Sequence, residues 1–238
     1  MMTKLGVTML CALALACGAA AAQDEPVQSV KVDGIKDPEM RSYRSVRAGF
    51  ETFDDNHALA PKVAELSFHM YPRSSAGRAN MEGLALRIAG DGESTMVPIA
   101  PNGRFSLPRL TGADDADLIL NRKKGMFRGS PEIRTPGLPD NVRRLGDLRL
   151  ECKVMVEMAK TEIPFWAKAM VNTVLLSGDW CAARKDIQWS FTSATELAGA
   201  AMKDGERTLK IGTSEWQFMV PIGDPAWPDD ALVELTFK

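Results

Sequence analysis

The sequence predicts a mainly β protein: antiparallel, sandwich-like sheets with one packed helix at about residues 163–176 and one disulfide. Three observations carry that expectation. Apolar and polar residues alternate over several short segments, the period-two signature of half-buried strands. Turn chemistry separates those segments at hairpin spacing, in Gly90-Asp91-Gly92, Pro101-Asn102-Gly103 and the acidic Gly112 to Asp115. Two cysteines, Cys152 and Cys181, remain once the first residues are set aside as a leader, an even pair suited to an oxidising compartment.

Composition bounds the function before any motif does. The 238 residues are 45% hydrophobic and 25% charged, with a net charge of -2, proportions of an ordinary globular chain. A strongly basic nucleic-acid binder is disfavoured, as is an acidic tail. Residues 1–22 read as a secretory signal: Lys4, an apolar run from Leu5 to Cys17, and Ala20-Ala21-Ala22 before Gln23. Cleavage near Ala22 places the mature chain in the periplasm or outside the cell. Acylation at Cys17 is the less favoured alternative, because a lipobox wants a Leu-like residue where Ala14 stands. Beyond the leader the nearest approach to a membrane span is Ile163 to Leu176, which Lys168 and Asn172 interrupt, so the mature chain is expected to have no transmembrane segment.

Taken in order, residues 23–56 are polar, with one alternating piece at Val27–Val32. Arg41, Arg44 and Arg47 read as solvated. Glu51, Asp54, Asp55 and His57 form an acidic cluster whose spacing matches no EF-hand or zinc motif. Ala64, Leu66, Phe68 and Met70 alternate with Glu65, Ser67, His69 and Tyr71, which predicts a strand with His69 opposite the apolar face. Short strands follow at Leu84–Ile88, Thr95–Ile99, Arg104–Leu107 and Asp117–Asn121. Leu84-Ala85-Leu86-Arg87-Ile88, followed by Pro101-Asn102-Gly103-Arg104-Phe105-Ser106-Leu107-Pro108, resembles the strand, turn and "DG-x-F-x-hydrophobic-P" pattern of carboxypeptidase-regulatory-like, prealbumin-type β-sandwich modules. The resemblance covers residues 84–122, with Asn102 in place of the usual Asp. It implies a sandwich topology and an accessory, non-catalytic role.

Residues 122–147 read as a basic Gly/Pro-rich loop. Arg122, Lys123, Lys124, Arg128, Arg134, Arg143 and Arg144 are set among glycines and prolines that keep the chain out of regular structure. Leu148 to Met158 alternates without a break and reads as the clearest strand, with Cys152 on its inner face. Ile163–Leu176 has helix-like apolar spacing and a Pro164 start, and reads as the helix packed on the sheet. Thr195–Met202 reads as a short Ala-rich helix or turn. Strands at Thr208–Ile211, Trp216–Val220 and Ala231–Phe237 complete a division into 23–121, the loop 122–147, and 148–238. Trp227, in a loop between Pro225 and Pro228, stands as the exposed binding aromatic.

Catalytic motifs are missing. No GxSxG, SxxK, HExxH, GxGxxG or Walker loop occurs, and the chain has two histidines, His57 and His69. The sequence therefore points to an exported non-catalytic binding or structural protein, without cofactor or metal. It would contact an envelope protein or an anionic envelope component through the basic loop and Trp227. The alternatives are an envelope carbohydrate hydrolase using Asp and Glu, and an amphiphile carrier seated under the 163–176 helix.

Overall fold

From Pro38 onward, strands form at most, but not all, of the expected period-two segments, and in several places where none was expected. The computed structural model describes residues 35–74, 78, 81–90 and 94–238. The leader, Cys17, the strand at Val27–Val32 and part of the Gly90–Gly92 turn lie outside the described residues. In chain order the elements are β1 (Pro38–Ser42), α1 (Tyr43–Asp55), β2 (Ser67–Pro72), β3 (Ala85–Ala89), β4 (Ser94–Pro98), β5 (Arg104–Phe105), β6 (Asp117–Lys123), β7 (Phe127–Glu132) and β8 (Val142–Arg144). Helices α2 (Leu145–Lys160) and α3 (Phe165–Leu175) follow. The last strands are β9 (Trp189–Thr192), β10 (Leu197–Asp204), β11 (Arg207–Ile211), β12 (Thr213–Ser214), β13 (Gln217–Val220) and β14 (Leu232–Phe237). Among the described residues these strands make four antiparallel sheets, ordered β1-β6-β3-β4, β5-β2-β7, β11-β10-β14-β8 and β12-β13-β9. No helix among them is long and apolar enough to cross a membrane.

The segment 148–158 is helical, which corrects the strongest strand expectation. Its even-numbered apolar residues satisfy a period of two and a helix buried on two sides equally well. Leu148, Cys152 and Val156 recur every four residues and enter one core. Leu150, Val154 and Met158 do the same and enter the other. Leu, Glu, Lys, Met and Arg are good helix formers, and the 16-residue length is long for a strand. Helix α2 is thus a wall shared by two hydrophobic cores. The first is closed by α1 and the sheets of β1 to β7, the second by β9 to β14.

Helix α1 replaces a segment read as solvated. The Ser42 hydroxyl accepts the Arg44 N–H at 3.2 Å and caps it. Tyr43, Val46, Phe50 and Phe53 then point inward, while the neighbouring arginines take the outer face. Gly49 lets α1 approach α2 closely: a Cβ there would lie 3.0 Å from Met158 Cγ and Sδ.

The helix expected at about 163–176 is present as α3, but it is not packed on a sheet. None of its residues is buried. The core role assigned to it belongs to α2. Residues 195–202 are likewise not helical. Leu197–Asp204 is the central strand β10, hydrogen-bonded to β11 and β14 on its two sides. Its alanines therefore sit in a strand paired along both edges, not in a helix.

The basic loop is also largely regular. Residues 127–132 form β7, paired with β2 from Ser67↔Glu132 to Pro72↔Phe127. Pro131 is tolerated because β7 lies at the edge of its sheet. Residues 142–144 form β8, paired with β14. The disulfide is present, Cys152–Cys181, with Cα atoms 6.0 Å apart, and ties α2 to the loop after α3.

Candidate functional site

The β2 alternation produces a sheet with two differently committed faces. Phe68, Met70, Phe105 and Phe127 point into the first core. Residues directly opposite on antiparallel strands share a face, so His69 lies with Ser130 and Arg104, and Tyr71 lies with Arg128. This second face carries Ser67, His69, Tyr71, Arg128, Ser130 and Glu132. It is polar, yet most of it is buried, because α2 and the β9 region cover it. Ser130 Oγ, for example, lies 3.5 Å from Met155 Sδ of α2. The sequence placed His69 opposite Phe68 correctly; that opposite face is covered, and His69 is buried.

Glu132 is the centre of that layer. Arg104 Nε donates to its Oε2 at 2.8 Å, His69 Nδ1 lies 3.5 Å from Oε2, and Arg134 Nη1 lies 3.9 Å from Oε1. Burial alone would raise the carboxyl pKa. Hydrogen bonding to His69 and Arg104, with the charges of His69 and Arg143, more than offsets this and holds it at about 2. The His69 ring stacks on Tyr71 with centroids 4.1 Å apart, and burial pushes the Tyr71 phenol well above its ordinary range. Gly103, at φ +86°, turns the chain where a Cβ would come within 2.9 Å of His69 Nε2. The turn expected at Pro101-Asn102-Gly103 is therefore also the floor of the His69 site. A polar cavity of about 230 Å³ opens here, lined also by Asn102, Asp140, Ser193 and Thr195.

Alongside it, Tyr71, Arg128 and Thr192 form the boundary of a second, more open cleft of about 460 Å³. Arg73, Arg78 and Arg128 converge on this cleft with Trp216, and Glu215 is its one acidic lining residue. Arg128 donates to Thr192 Oγ1, Arg73 Nε donates to the Phe127 carbonyl at 3.1 Å, and the Arg78 guanidinium lies 4.7 Å over the Trp216 ring. Among the described residues none of the three has a carboxylate within ion-pair distance. Burial and the neighbouring Arg73 charge both lower the pKa of Arg128, a sign of crowded positive charge.

The residues singled out from the sequence fare differently. Arg128 is in this cleft. Lys123 and Lys124 are exposed around the turn after β6, away from it. Arg122 donates to the Asn121 and Glu82 carbonyls. Arg134 donates to the carbonyls of Pro139, Asp140 and Val142, and so closes its own loop. Arg143 is buried: it donates to Glu151 Oε2 at 2.6 Å and to the Ile133 carbonyl at 3.0 Å. Burial opposes its charge, and Glu151 more than offsets that, holding the guanidinium above its ordinary range. Arg144 is an internal clamp, bonded to the Leu59 carbonyl and Asp230. Arg134, Arg143 and Arg144 organise the fold and do not form a free basic surface.

Trp227 is not exposed. It is 2% accessible, packed in the second core under the Arg207 guanidinium at 3.7 Å, while Arg149 Nη2 holds its carbonyl at 3.0 Å. Turns closed by Trp227 N–H on the Asp224 carbonyl and Ala231 N–H on the Pro228 carbonyl fold the loop with its ring inward. The acidic cluster is dispersed: Asp54 pairs with Arg109 at 2.6 Å and His57 Nε2 meets the Val63 carbonyl at 2.7 Å. Sequence reasoning missed Arg73, Arg78, Trp216 and the burial of Glu132. The available signal was the polar phase of the 64–73 alternation, which carries His, Tyr and Arg, residues able to bind a ligand as well as to face water.

No family model matches the chain, and comparison with curated proteins and with solved structures finds no match.

Proposed function

We propose that the protein is an exported, non-catalytic binding protein that holds an anionic component of the cell envelope in the Arg73–Arg78–Arg128 cleft. The observation that carries this reading is the surplus of three guanidinium groups around one open cleft, with no carboxylate paired to them among the described residues. Guanidinium is the natural partner of phosphate and carboxylate groups, and an adjacent indole face suits a ligand with a flat or apolar part. The reading keeps the anionic partner expected from the basic stretch but moves it: of that stretch, Arg128 alone lines the cleft.

Two observations weigh against the alternatives. A carbohydrate hydrolase needs a carboxylic acid whose pKa is raised in a cleft. Glu132 is the buried carboxylate lining the polar cavity, and its pKa is lowered to about 2, so it carries no proton to give. A carrier needs a cavity that fits a chain. Seated under α3, it would need that helix to roof an apolar cavity, and none of the helix's residues is buried.

The test is calorimetric titration with inorganic tripolyphosphate, following tryptophan fluorescence in parallel, with Trp216→Phe identifying the share of Trp216. Binding that weakens as salt rises, and that is lost in Arg73→Glu/Arg128→Glu, is the expected result. Binding that the double variant retains, or no binding at low salt, overturns it.

A further inference from the structure

Helix α3 is amphipathic the wrong way round for a helix on a lone chain. Its half-buried side carries Ala167, Lys168, Val171 and Leu175. Its outward side carries Phe165 at 81% exposure, Trp166 at 68%, Met170 at 57% and Val174 at 74%, with Leu176 at 90% just beyond its end. Lys168 is the one charged residue between Ile163 and Leu176, and it lies on the inner side. Leu176 also adopts φ 51°, a left-handed conformation that favours glycine, so a large apolar side chain is held in a strained position in full contact with water.

The helix is not loosely attached. The Cys152–Cys181 disulfide closes the loop that contains it. Trp180 Nε1 donates to Asn172 Oδ1 at 2.7 Å, Lys160 donates to the Gly178 carbonyl at 2.9 Å, and Arg41 pairs with Glu162 at 3.1 Å. An exposed apolar face held this firmly is preorganised for a partner.

We infer that this face is the contact between two copies of the chain, packed α3 on α3 about a two-fold axis. Two features favour a second copy. The five exposed side chains present roughly 650 Å² of apolar surface, more than a monomer commonly leaves in one patch and close to the share of one partner in a standard interface. The face also complements itself. Trp166, Met170 and Val174 form a ridge at four-residue spacing, beside a furrow at Ala169 and Thr173. Thr173 Oγ1 already donates to the Ala169 carbonyl at 2.9 Å, so its methyl group is what the furrow offers. A two-fold axis bisecting two parallel copies of the helix sets each ridge into the furrow of the other. No charge on the face meets its own copy. The contact is separate from the arginine cleft, so either reading can fail without the other.

The test is sedimentation equilibrium of the exported protein from about 1 to about 100 µM, with neutral phosphatidylcholine vesicles in a parallel co-sedimentation experiment. A dimer is expected. Met170→Glu on the ridge and Ala169→Gln in the furrow should each raise the dissociation constant by about 30-fold or more. Both side chains face solvent in one copy, so folding is checked by far-UV circular dichroism and by continued protection of both cysteines from thiol labelling. A wild-type chain that stays monomeric over this range overturns the inference. If that monomer sediments with vesicles, the face is a membrane contact instead. A dimer that both variants leave intact overturns it equally.

Discussion

Replacing Glu132 with Gln keeps the side-chain volume and removes the buried charge that Arg104, His69 and Arg134 surround. In the folded chain this carboxyl titrates at about 2, against 4.5 for an ordinary glutamate. Folding therefore favours the ionised form. The stabilisation is complete above pH 4.5 and is lost as pH falls from there toward 2. At about 1.4 kcal/mol per pKa unit, the gap corresponds to about 3 kcal/mol at neutral pH, shrinking to a little over 1 kcal/mol by about pH 3. Glu132 is itself buried, so solvent screens the pair little on that side, although Arg104 is partly open to water. Urea unfolding followed by circular dichroism, with the disulfide intact, measures the difference between wild type and Glu132→Gln at several pH values. The expected difference is largest at pH 7 and narrows steadily into acid. A difference that is constant with pH would mean that the carboxylate contributes shape and not charge, and would refute the electrostatic account. So would a difference that widens into acid.

Two further outcomes follow from packing. Trp227→Ala should cost about 3–5 kcal/mol, the range for emptying a large aromatic site, because the ring is buried in the second core; a loss within 0.5 kcal/mol, as for a surface residue, would contradict that placement. Replacing Cys152 and Cys181 together with Ala should cost about 3–4 kcal/mol by loop-closure entropy, read by the same urea titration, and should leave the β sheet signal in place.

The sequence was most informative where a strand has one apolar face and one polar face. β2, β3 and β6 are legible for that reason, and so is the disulfide, since the two cysteines beyond residue 22 admit one pairing. It misled where an element is buried on two sides. In α2, alternate residues satisfy opposite cores, and the resulting period of two hides a period near four. It misled again where composition stood in for position. The arginines of 134–144 look like a basic surface in a one-dimensional count. Their job is to hold carbonyls and carboxylates inside the fold, as Arg143 does with Ile133 and Glu151. Trp227 shows the same error in reverse: flanking prolines suggested exposure, but the loop folds its ring inward. The arginine cleft was not legible because Arg73, Arg78, Arg128 and Trp216 come from three distant stretches of chain.

The sharing of α2 between two cores bears on how the chain acquires its structure. The first core takes most of its residues from positions 43–133, yet it is closed by Leu150, Val154 and Met158. The second begins on the same helix, and β8, the strand leading directly into it, is hydrogen-bonded to β14 at the far end of the sequence. A chain made or translocated from its N-terminus thus has no finished half to set aside while the rest arrives. Its first interior stays open until α2 is seated, and the strand before α2 is fixed only when the last six-residue strand docks. Because both interiors are built on α2, loosening one is expected to loosen the other, and the C-terminal strand is the last piece the second one waits for.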